Sequence, residues 1–279
     1  MKRSFLLRGR FLILRRLSQA AILLLFAFSG SLSGYLGGLW LLKGNLSASL
    51  VADTVPLNDP FVLAQSLAAG HLPELTAVIG AAIVIAFYLL AGGRSFCAWV
   101  CPVNAVTDSA LWLRRRAGIK GGHAPAKSLR LWLLGSVLLF SAISGSLLWE
   151  LVNPVSLLQR ELIFGTGLSL VLVAAIFVYD LTIAQRSWCG HICPMGAAYG
   201  LLGKGALLRI RADKRDNCDD CMDCFKVCPE PQVLKPVLKG EGSSIIRSGA
   251  CSNCGRCIDV CEQQVFRFGH RFEIRSQKP

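Results

Sequence analysis

Four apolar stretches set between polar segments dominate the first two thirds of the chain. The first runs from Leu17 to Leu42 without a charged residue. The others cover about Leu75–Ala91, Leu129–Trp149 and Leu168–Leu181, the last extended toward Gly165 and Ala184. About 20 helical residues cross the apolar part of a bilayer. The pattern therefore predicts transmembrane helices at about 17–42, 75–91, 129–149 and 165–184. A signal peptide is the competing reading of the first stretch, because a basic segment precedes it. The run is too long for the apolar part of a signal, and no clean small-x-small cleavage site closes it, which favours an uncleaved span. Near the C-terminus, Val265-Phe-Arg-Phe-Gly-His-Arg-Phe-Glu-Ile alternates apolar and polar positions and reads as a short strand or hairpin.

Composition agrees with a membrane chain. Of 279 residues 53% are hydrophobic and only 17% charged, with a mean hydropathy of +0.50. That is too much apolar surface for one water-soluble core, so the bilayer must be part of the solvent. A net charge of +13 could suit nucleic acid, but the basic residues alternate between segments. Segment 1–16 carries six: Lys2, Arg3, Arg8, Arg10, Arg15 and Arg16. Loop 43–74 has only Lys43 and loop 150–167 only Arg160. Loop 92–128 has six (Arg94, Arg114, Arg115, Arg116, Lys120, Lys127), and so has 185–217 (Arg186, Lys204, Arg209, Arg211, Lys214, Arg215). Lys and Arg gather on the cytoplasmic side of a membrane. The alternation predicts a multi-pass protein of the bacterial cytoplasmic (inner) membrane with both termini in the cytoplasm, and it needs no nucleic acid.

All 12 cysteines fall into motifs. The last quarter reads Cys218-Asp-Asp-Cys221-Met-Asp-Cys224-Phe-Lys-Val-Cys228-Pro229, then Cys251-Ser-Asn-Cys254-Gly-Arg-Cys257-Ile-Asp-Val-Cys261. This is the C-x2-C-x2-C-x3-C run of a two-cluster bacterial ferredoxin, written twice. Three thiolates within seven residues wrap one cube, and the fourth has turned away toward the other. The spacing thus predicts one [4Fe-4S] cluster on Cys218, Cys221, Cys224 and Cys261, and a second on Cys251, Cys254, Cys257 and Cys228. Zinc sites typically pair two Cys-x2-4-Cys elements and need no third cysteine. Disulfides belong to small secreted chains, whereas this segment falls in the reducing cytoplasm. Glu262 stands where a proline usually follows the second run, and 22 residues separate Cys228 from Cys251, but neither removes a ligand. Lys226, Arg256 and Arg267 near the clusters are expected to raise their potentials, since reduction adds negative charge.

A second pattern repeats at an offset of 92: Arg94-Ser-Phe-Cys97-Ala-Trp-Val-Cys101-Pro102 and Arg186-Ser-Trp-Cys189-Gly-His-Ile-Cys193-Pro194. Each copy follows a like-oriented span and leads into an expected helix, Pro102–Arg116 and Pro194–Arg211. Proline suits the first helical position, where its missing N–H costs nothing. Cys101 and Cys193 would then sit at N-caps, where the helix dipole favours a thiolate. Cys97, Cys101, Cys189 and Cys193 read either as redox groups or ligands of an additional centre, or as structural cysteines beneath the membrane plane. Their ligand stays open.

The remaining candidates are weaker. No histidine (His71, His123, His191, His270) lies within a span, which argues against a haem in the bundle. His191 sits between two motif cysteines and could tune them, or could be a solvated loop residue. Glu150 could take a proton from a quinol, and Asp180 closes the fourth span; the plainer reading makes both helix ends. No Gly-rich phosphate loop follows a strand, so no nucleotide or flavin site is visible.

The spans, the paired motifs at 97–101 and 189–193 and the ferredoxin segment together resemble the NapH family of ferredoxin-type quinol dehydrogenase subunits. The likeness covers nearly the whole chain. It implies an all-α membrane protein of four transmembrane helices with a C-terminal α+β ferredoxin-like domain carrying two [4Fe-4S] clusters. The domains would be a basic N-terminus (1–16), a membrane domain (17–184) with a cytoplasmic loop (92–128), a second motif and linker helix (185–217), and the ferredoxin-like segment (218–279). It implies oxidation of menaquinol or ubiquinol from the membrane pool and electron transfer toward a periplasmic nitrate reductase. The partners would be a periplasmic ferredoxin-type subunit and, in some systems, a multihaem cytochrome c. The chain would be an electron-transfer subunit rather than a stand-alone enzyme. The alternative is a membrane redox sensor or a maturation factor for another respiratory enzyme. Families that share these motifs but add a large external flavin domain, or a further domain after the clusters, fit less well. Loop 43–74 and the 18 residues after Cys261 leave no room for either.

Overall fold

The computed structural model describes residues 5–35, 40–119, 121–165, 167–239 and 243–272. Lys2, Arg3 and Lys120 of the charge pattern and part of the first apolar stretch lie outside them. Along the chain, α1 (Phe5–Tyr35) precedes three short strands, β1 (Leu42–Gly44), β2 (Ala48–Val51) and β3 (Val55–Asn58), then α2 (Pro60–Ala68) and α3 (Leu75–Ala91). Next come α4 (Ser95–Trp99), α5 (Val103–Arg116), α6 (Leu129–Ser144), α7 (Leu148–Val152), α8 (Pro154–Phe164) and α9 (Leu168–Thr182). A π-helical turn at Trp188–Ile192 leads into α10 (Pro194–Gly203) and β4 (Leu208–Ala212). The chain continues through α11 (Asp223–Val227), α12 (Lys235–Lys239), α13 (Arg256–Val260) and β5 (Phe266–His270). It is mostly helical. Among the described residues one helix, Gly9–Tyr35, is long and apolar enough to cross a membrane; Leu75–Ala91, Leu129–Ser144 and Ser169–Thr182 are shorter apolar helices.

Local turn chemistry redraws several expected boundaries. The first apolar stretch is not helical to Leu42, which lies in β1. Asn45 accepts the Ser47 and Ala48 amides at 2.9 Å through its side chain, an Asx turn that folds β1 onto β2. Ala52 and Asp53 both take positive φ (50° and 54°) to bring β2 back onto β3. The expected all-helical membrane portion therefore carries a three-stranded antiparallel sheet. The third apolar stretch stops at Ser144, because Gly145 adopts the left-handed conformation (φ 65°) and returns its N–H to Ser141. The expected helix to Arg211 ends at Gly203, and Leu208–Ala212 is a strand. It pairs antiparallel with β5, Leu208 opposite His270 and Ala212 opposite Phe266. A strand whose partner lies nearly 60 residues later leaves little trace in local periodicity.

The chain divides into two compact units. One comprises the described residues of Gln19–Phe87 and Cys101–Ala198. In it, Glu150 accepts hydrogen bonds from Ser47 and Ser156 (3.0 and 2.8 Å) and from the Asn153 amide (3.0 Å), tying the β1–β2 turn to α7 and α8. Glu150 is thus the hub of a polar network rather than a simple helix end. Arg114 of α5 donates to the Leu181 carbonyl at 2.6 Å and to Gly121, capping the C-terminus of α9, where a cation is favoured.

The other unit comprises the described residues of Met1–Ser18, Tyr88–Val100 and Tyr199–Pro279. Its core joins Ile210, Val233, Leu234, Val237, Ile246, Ile258, Val265 and Phe266. Residues 88–100 pack so closely on α10 that a Cβ on Gly93 would fall onto the Tyr199 carbonyl and the Gly203 nitrogen. Gly93→Ala is accordingly expected to cost about 1–3 kcal/mol by forced backbone displacement. Thermal unfolding in detergent reads this as a lowered Tm; an unchanged Tm would mean that the backbones separate freely.

Candidate iron–sulfur sites

The two cysteine runs fold alike. Each needs its thiols turned to one side within seven residues, and each achieves this with two left-handed residues. Asp220 and Met222 (φ 52° and 60°) stand in the first loop, and Asn253 and Gly255 (φ 47° and 72°) in the second. The positions correspond one to one. Asn, Asp and Gly tolerate this conformation; Met222 does so at some cost. A short helix follows each loop, and Cys228 and Cys261 stand at the extended C-caps of α11 and α13, turned away from their own loops.

The result is an exchange of fourth cysteines. One recess is lined by Cys218, Cys221, Cys224 and Cys261 together with Phe225, Leu238 and Phe266. The other is lined by Cys228, Cys251, Cys254 and Cys257 with Ile210, Val233, Leu234 and Ile246. Among the described residues no three His, Cys, Asp or Glu side chains approach closely enough to chelate a single ion. A tetrahedral zinc with Zn–S of about 2.3 Å would draw its sulfurs to about 3.8 Å apart. Each recess presents four thiols, one for each iron of a cubane.

Electrostatics fit a cationic metal core. Burial pushes Cys224 and Cys251 up to about 11 and Cys257 well above its ordinary value. The neighbouring thiolates add to the shift: Cys261, Cys218 and Cys221 act on Cys224, while Cys254, Cys251 and Cys228 lead at Cys257. Buried thiols that resist ionisation beside other thiols need positive charge among them, which iron supplies. Apolar walls and backbone amides then set the potential.

The cations expected to raise the potentials prove to be paired. Lys226 bonds Asp223 at 2.7 Å, Arg256 bonds Asp259 at 3.1 Å, and Arg267 contacts Asp213. The Lys226–Asp223 pair is close to neutral, whereas Asp259 and Asp213 are each shared with a second arginine, Arg10 and Arg211, so the expected effect of these three is cancelled only in part. Asp259, fully buried, also accepts the Phe11 amide at 3.1 Å. The Phe11 ring packs edge-on against Trp99 and Phe268, and a Cβ on Gly255 would lie 2.5 Å from it. The start of α1 is therefore fastened to the second cysteine loop.

So is the first Cys-x3-Cys-Pro copy. Arg94 donates to Glu230 at 2.8 Å and to the Ala250 carbonyl at 3.1 Å, beside Cys251. The Trp99 indole donates to the Asn253 carbonyl (3.2 Å), and the Asn253 amide donates to Ala91 (3.1 Å) and Leu208 (2.9 Å). Arg15, 1% exposed, donates to Ala98 at 2.9 Å. Arg15 and Arg94 thus hold backbone as well as contributing to the charge pattern. Cys97 is half-buried in this unit.

Cys101, Cys189 and Cys193 belong to the other unit, where Cys101 is buried and the other two half-buried. Gln19 donates to the Cys101 carbonyl at 3.0 Å, and the Thr107 hydroxyl stands 3.9 Å from the Cys189 sulfur. Arg186 pairs with Asp108 at 2.6 Å. Asp180, fully buried, accepts the Trp188 amide at 3.1 Å and so positions the second copy rather than merely ending α9. His191 is half-buried and its Nδ1 lies 2.5 Å from the Pro125 carbonyl. Cys193 directly precedes α10, as expected, whereas Pro102, not Cys101, caps α5.

The repeat is unequal in one respect. Asp108, the partner of Arg186, corresponds at the offset of 92 to Gly200. A Cβ there would lie 3.6 Å from Arg94 Cδ. With no carboxylate at this position, Arg94 extends to Glu230 in the ferredoxin segment instead. Sequence reasoning missed Gln19, Asp108 and Glu230, whose roles depend on partners up to 136 residues away. Reading the repeat beyond the prolines would have exposed the Asp108/Gly200 difference.

Twin three-cysteine loops with exchanged fourth cysteines define a ferredoxin-type iron–sulfur protein. A family model described as "4Fe-4S binding domain" matches residues 74–120 and 165–215, the stretches that hold the Cys-x3-Cys-Pro copies. "Ferredoxin-type protein NapH" of Haemophilus influenzae is 52% identical over 95% of this chain and 91% of its own. The protein of the same name from Escherichia coli is 48% identical over 94% and 90%. "Methylamine utilization ferredoxin-type protein MauN" of Methylorubrum extorquens is 48% identical over 92% and 88%. No solved structure matches. The chain belongs to the NapH family of ferredoxin-type proteins, to which the MauN proteins are closely related.

Proposed function

We propose that the chain is a membrane-bound electron-transfer subunit that oxidises quinol and passes the electrons toward a periplasmic nitrate reductase. The observation that carries this reading is the pair of thiol recesses with exchanged fourth cysteines. Cys218, Cys221, Cys224 and Cys261 would hold one [4Fe-4S] cluster, and Cys228, Cys251, Cys254 and Cys257 the other. Bound clusters take one electron each, so a pair can divide the two electrons of a quinol. The chain's own part is to bury both sites, supply their thiolates and hold residues 91–99 against the second loop through Arg94 and Trp99. Cys97, Cys101, Cys189 and Cys193 would serve as further redox groups, a reading supported by the family match on their segments.

In this reading α3, α6 and α9 cross the membrane beside α1, and both termini are cytoplasmic. Outward-facing Phe87, Trp132, Phe140, Ile143, Val171 and Val178 support it. Such large apolar side chains suit lipid and would be a liability in water. The quinol donor, a periplasmic ferredoxin-type partner and, in some systems, a multihaem cytochrome c follow from the family resemblance.

A second reading is a redox sensor or maturation factor for another respiratory enzyme; relatives named for methylamine utilization keep it in view, since the first reading does not account for that name. Quinol separates the two. Protein purified anaerobically in detergent is expected to hold about eight irons, with EPR signals of two cubanes on reduction. Iron above eight would give the paired motifs a centre of their own. Addition of menaquinol or ubiquinol analogue should reduce the clusters at a respiratory rate. Clusters reducible by dithionite but indifferent to quinol would favour the maturation reading, and zinc in place of iron would remove both.

A further inference from the structure

The two recesses differ in the charge around them, and the difference centres on Arg209 of β4. Its side chain is 2% exposed. Nε donates to Ala206 at 3.0 Å, Nη2 to Lys204 at 3.0 Å and to Gly203, and Nη1 to Ser248 at 3.4 Å. Every acceptor is a backbone carbonyl; among the described residues no carboxylate pairs with it. The Ser248 carbonyl also accepts the Cys251 amide at 3.2 Å, so the guanidinium lies at the base of the second cysteine loop. Burial pulls Arg209 below its ordinary value while the Cys251 thiolate opposes that pull, as expected of a cation beside this sulfur.

Of the other cations at this recess, Arg94 pairs with Glu230, Arg256 shares Asp259 with the half-exposed Arg10, and the half-buried Arg271 adds a positive charge beside Arg209. The first recess has the opposite character. Asp219 and Asp220 are exposed beside the exposed Cys221, and Lys226 is paired with Asp223.

Resting on the reading of both recesses as cluster sites, we propose that Arg209 makes the cluster of Cys228, Cys251, Cys254 and Cys257 the more easily reduced of the two. Reduction adds one negative charge to a cluster. A buried cation without a counter-ion stabilises that charge strongly, because neither water nor salt screens it. The acidic rim of the other site disfavours the same charge. An electron entering the pair therefore comes to rest on the cluster against which residues 91–99 dock, and the acidic surface site is the low-potential partner.

The test is a redox titration of the full-length protein in detergent, followed by EPR. Wild type should show two separated midpoints. Arg209→Gln should lower the upper midpoint and leave the lower one in place. Arg209→Lys, which keeps the charge but not the carbonyl contacts, should stay near wild type. Asp219→Asn with Asp220→Asn should raise only the lower midpoint and so narrow the gap. A carbonyl-capping role alone would change Tm in both Arg209 variants and neither potential, which would overturn the inference. So would equal movement of both midpoints in Arg209→Gln, or a rise of the upper midpoint in the Asn pair. Should Arg209→Gln lose iron, the Lys variant and the Asn pair decide by the same criteria. Absence of cubane signals from wild type would instead sink the cluster reading itself.

Discussion

Replacing Cys261 by alanine is expected to erase the same EPR signal as replacing Cys218, although the two residues stand at opposite ends of the ferredoxin segment. Each variant should fall from about eight irons per chain to about four. Cys228→Ala and Cys251→Ala should erase the other signal. The reason is the turn at each helix end. Cys228 and Cys261 occupy extended C-caps of α11 and α13, facing away from the loops that precede them in sequence. Each completes the recess of the opposite loop. If Cys261→Ala matched Cys251→Ala instead, each run would be a self-contained site and the exchanged arrangement would be wrong. Serine could serve as a substitute ligand, which is why alanine is the informative change.

Arg94→Ala is expected to destabilise the ferredoxin-bearing unit by about 3–5 kcal/mol. Arg94 and Glu230 are both buried and bonded at 2.8 Å. Removing the guanidinium leaves a buried carboxylate without its counter-ion, and that desolvated charge is the main cost. The Ala250 carbonyl loses its donor as well. Arg94→Met combined with Glu230→Met removes both charges and should recover most of the loss, since an apolar pair of similar volume can replace a buried ion pair. Denaturant melts of the purified protein and retained iron measure both outcomes. Equal loss in the single and double variants would assign the role of Arg94 to its carbonyl contact and not to the ion pair. By contrast Arg186, which pairs with Asp108 in the other unit, should leave the cluster iron in place when changed.

The grouping of the eight C-terminal cysteines around two recesses was legible in the sequence because their spacing is local. Three cysteines with two residues between successive ones suit a compact cofactor, and the loops carry left-handed residues at matching positions. Charge was half legible. Its alternation along the chain is a one-dimensional property, but which arginines are buried is not. Arg15, Arg94, Arg114, Arg209 and Arg211 read as basic residues of the polar segments, yet each is nearly inaccessible and bonded to carbonyls or a carboxylate.

By itself the sequence determined the apolar stretches, the two ferredoxin runs, the paired motifs and the terminal strand, since each follows from periodicity or spacing over a few residues. Tertiary structure alone decided the rest. It ended the first apolar stretch in a β-hairpin through Asn45, and turned Leu208–Ala212 into a strand by pairing it with β5. It sent Arg94 past Gly200 to Glu230 and, among the described residues, left Arg209 without a carboxylate beside Cys251. Those outcomes depend on partners distant in the chain, and the free energy of burying a charge is set by what surrounds it in space and not by its neighbours in sequence.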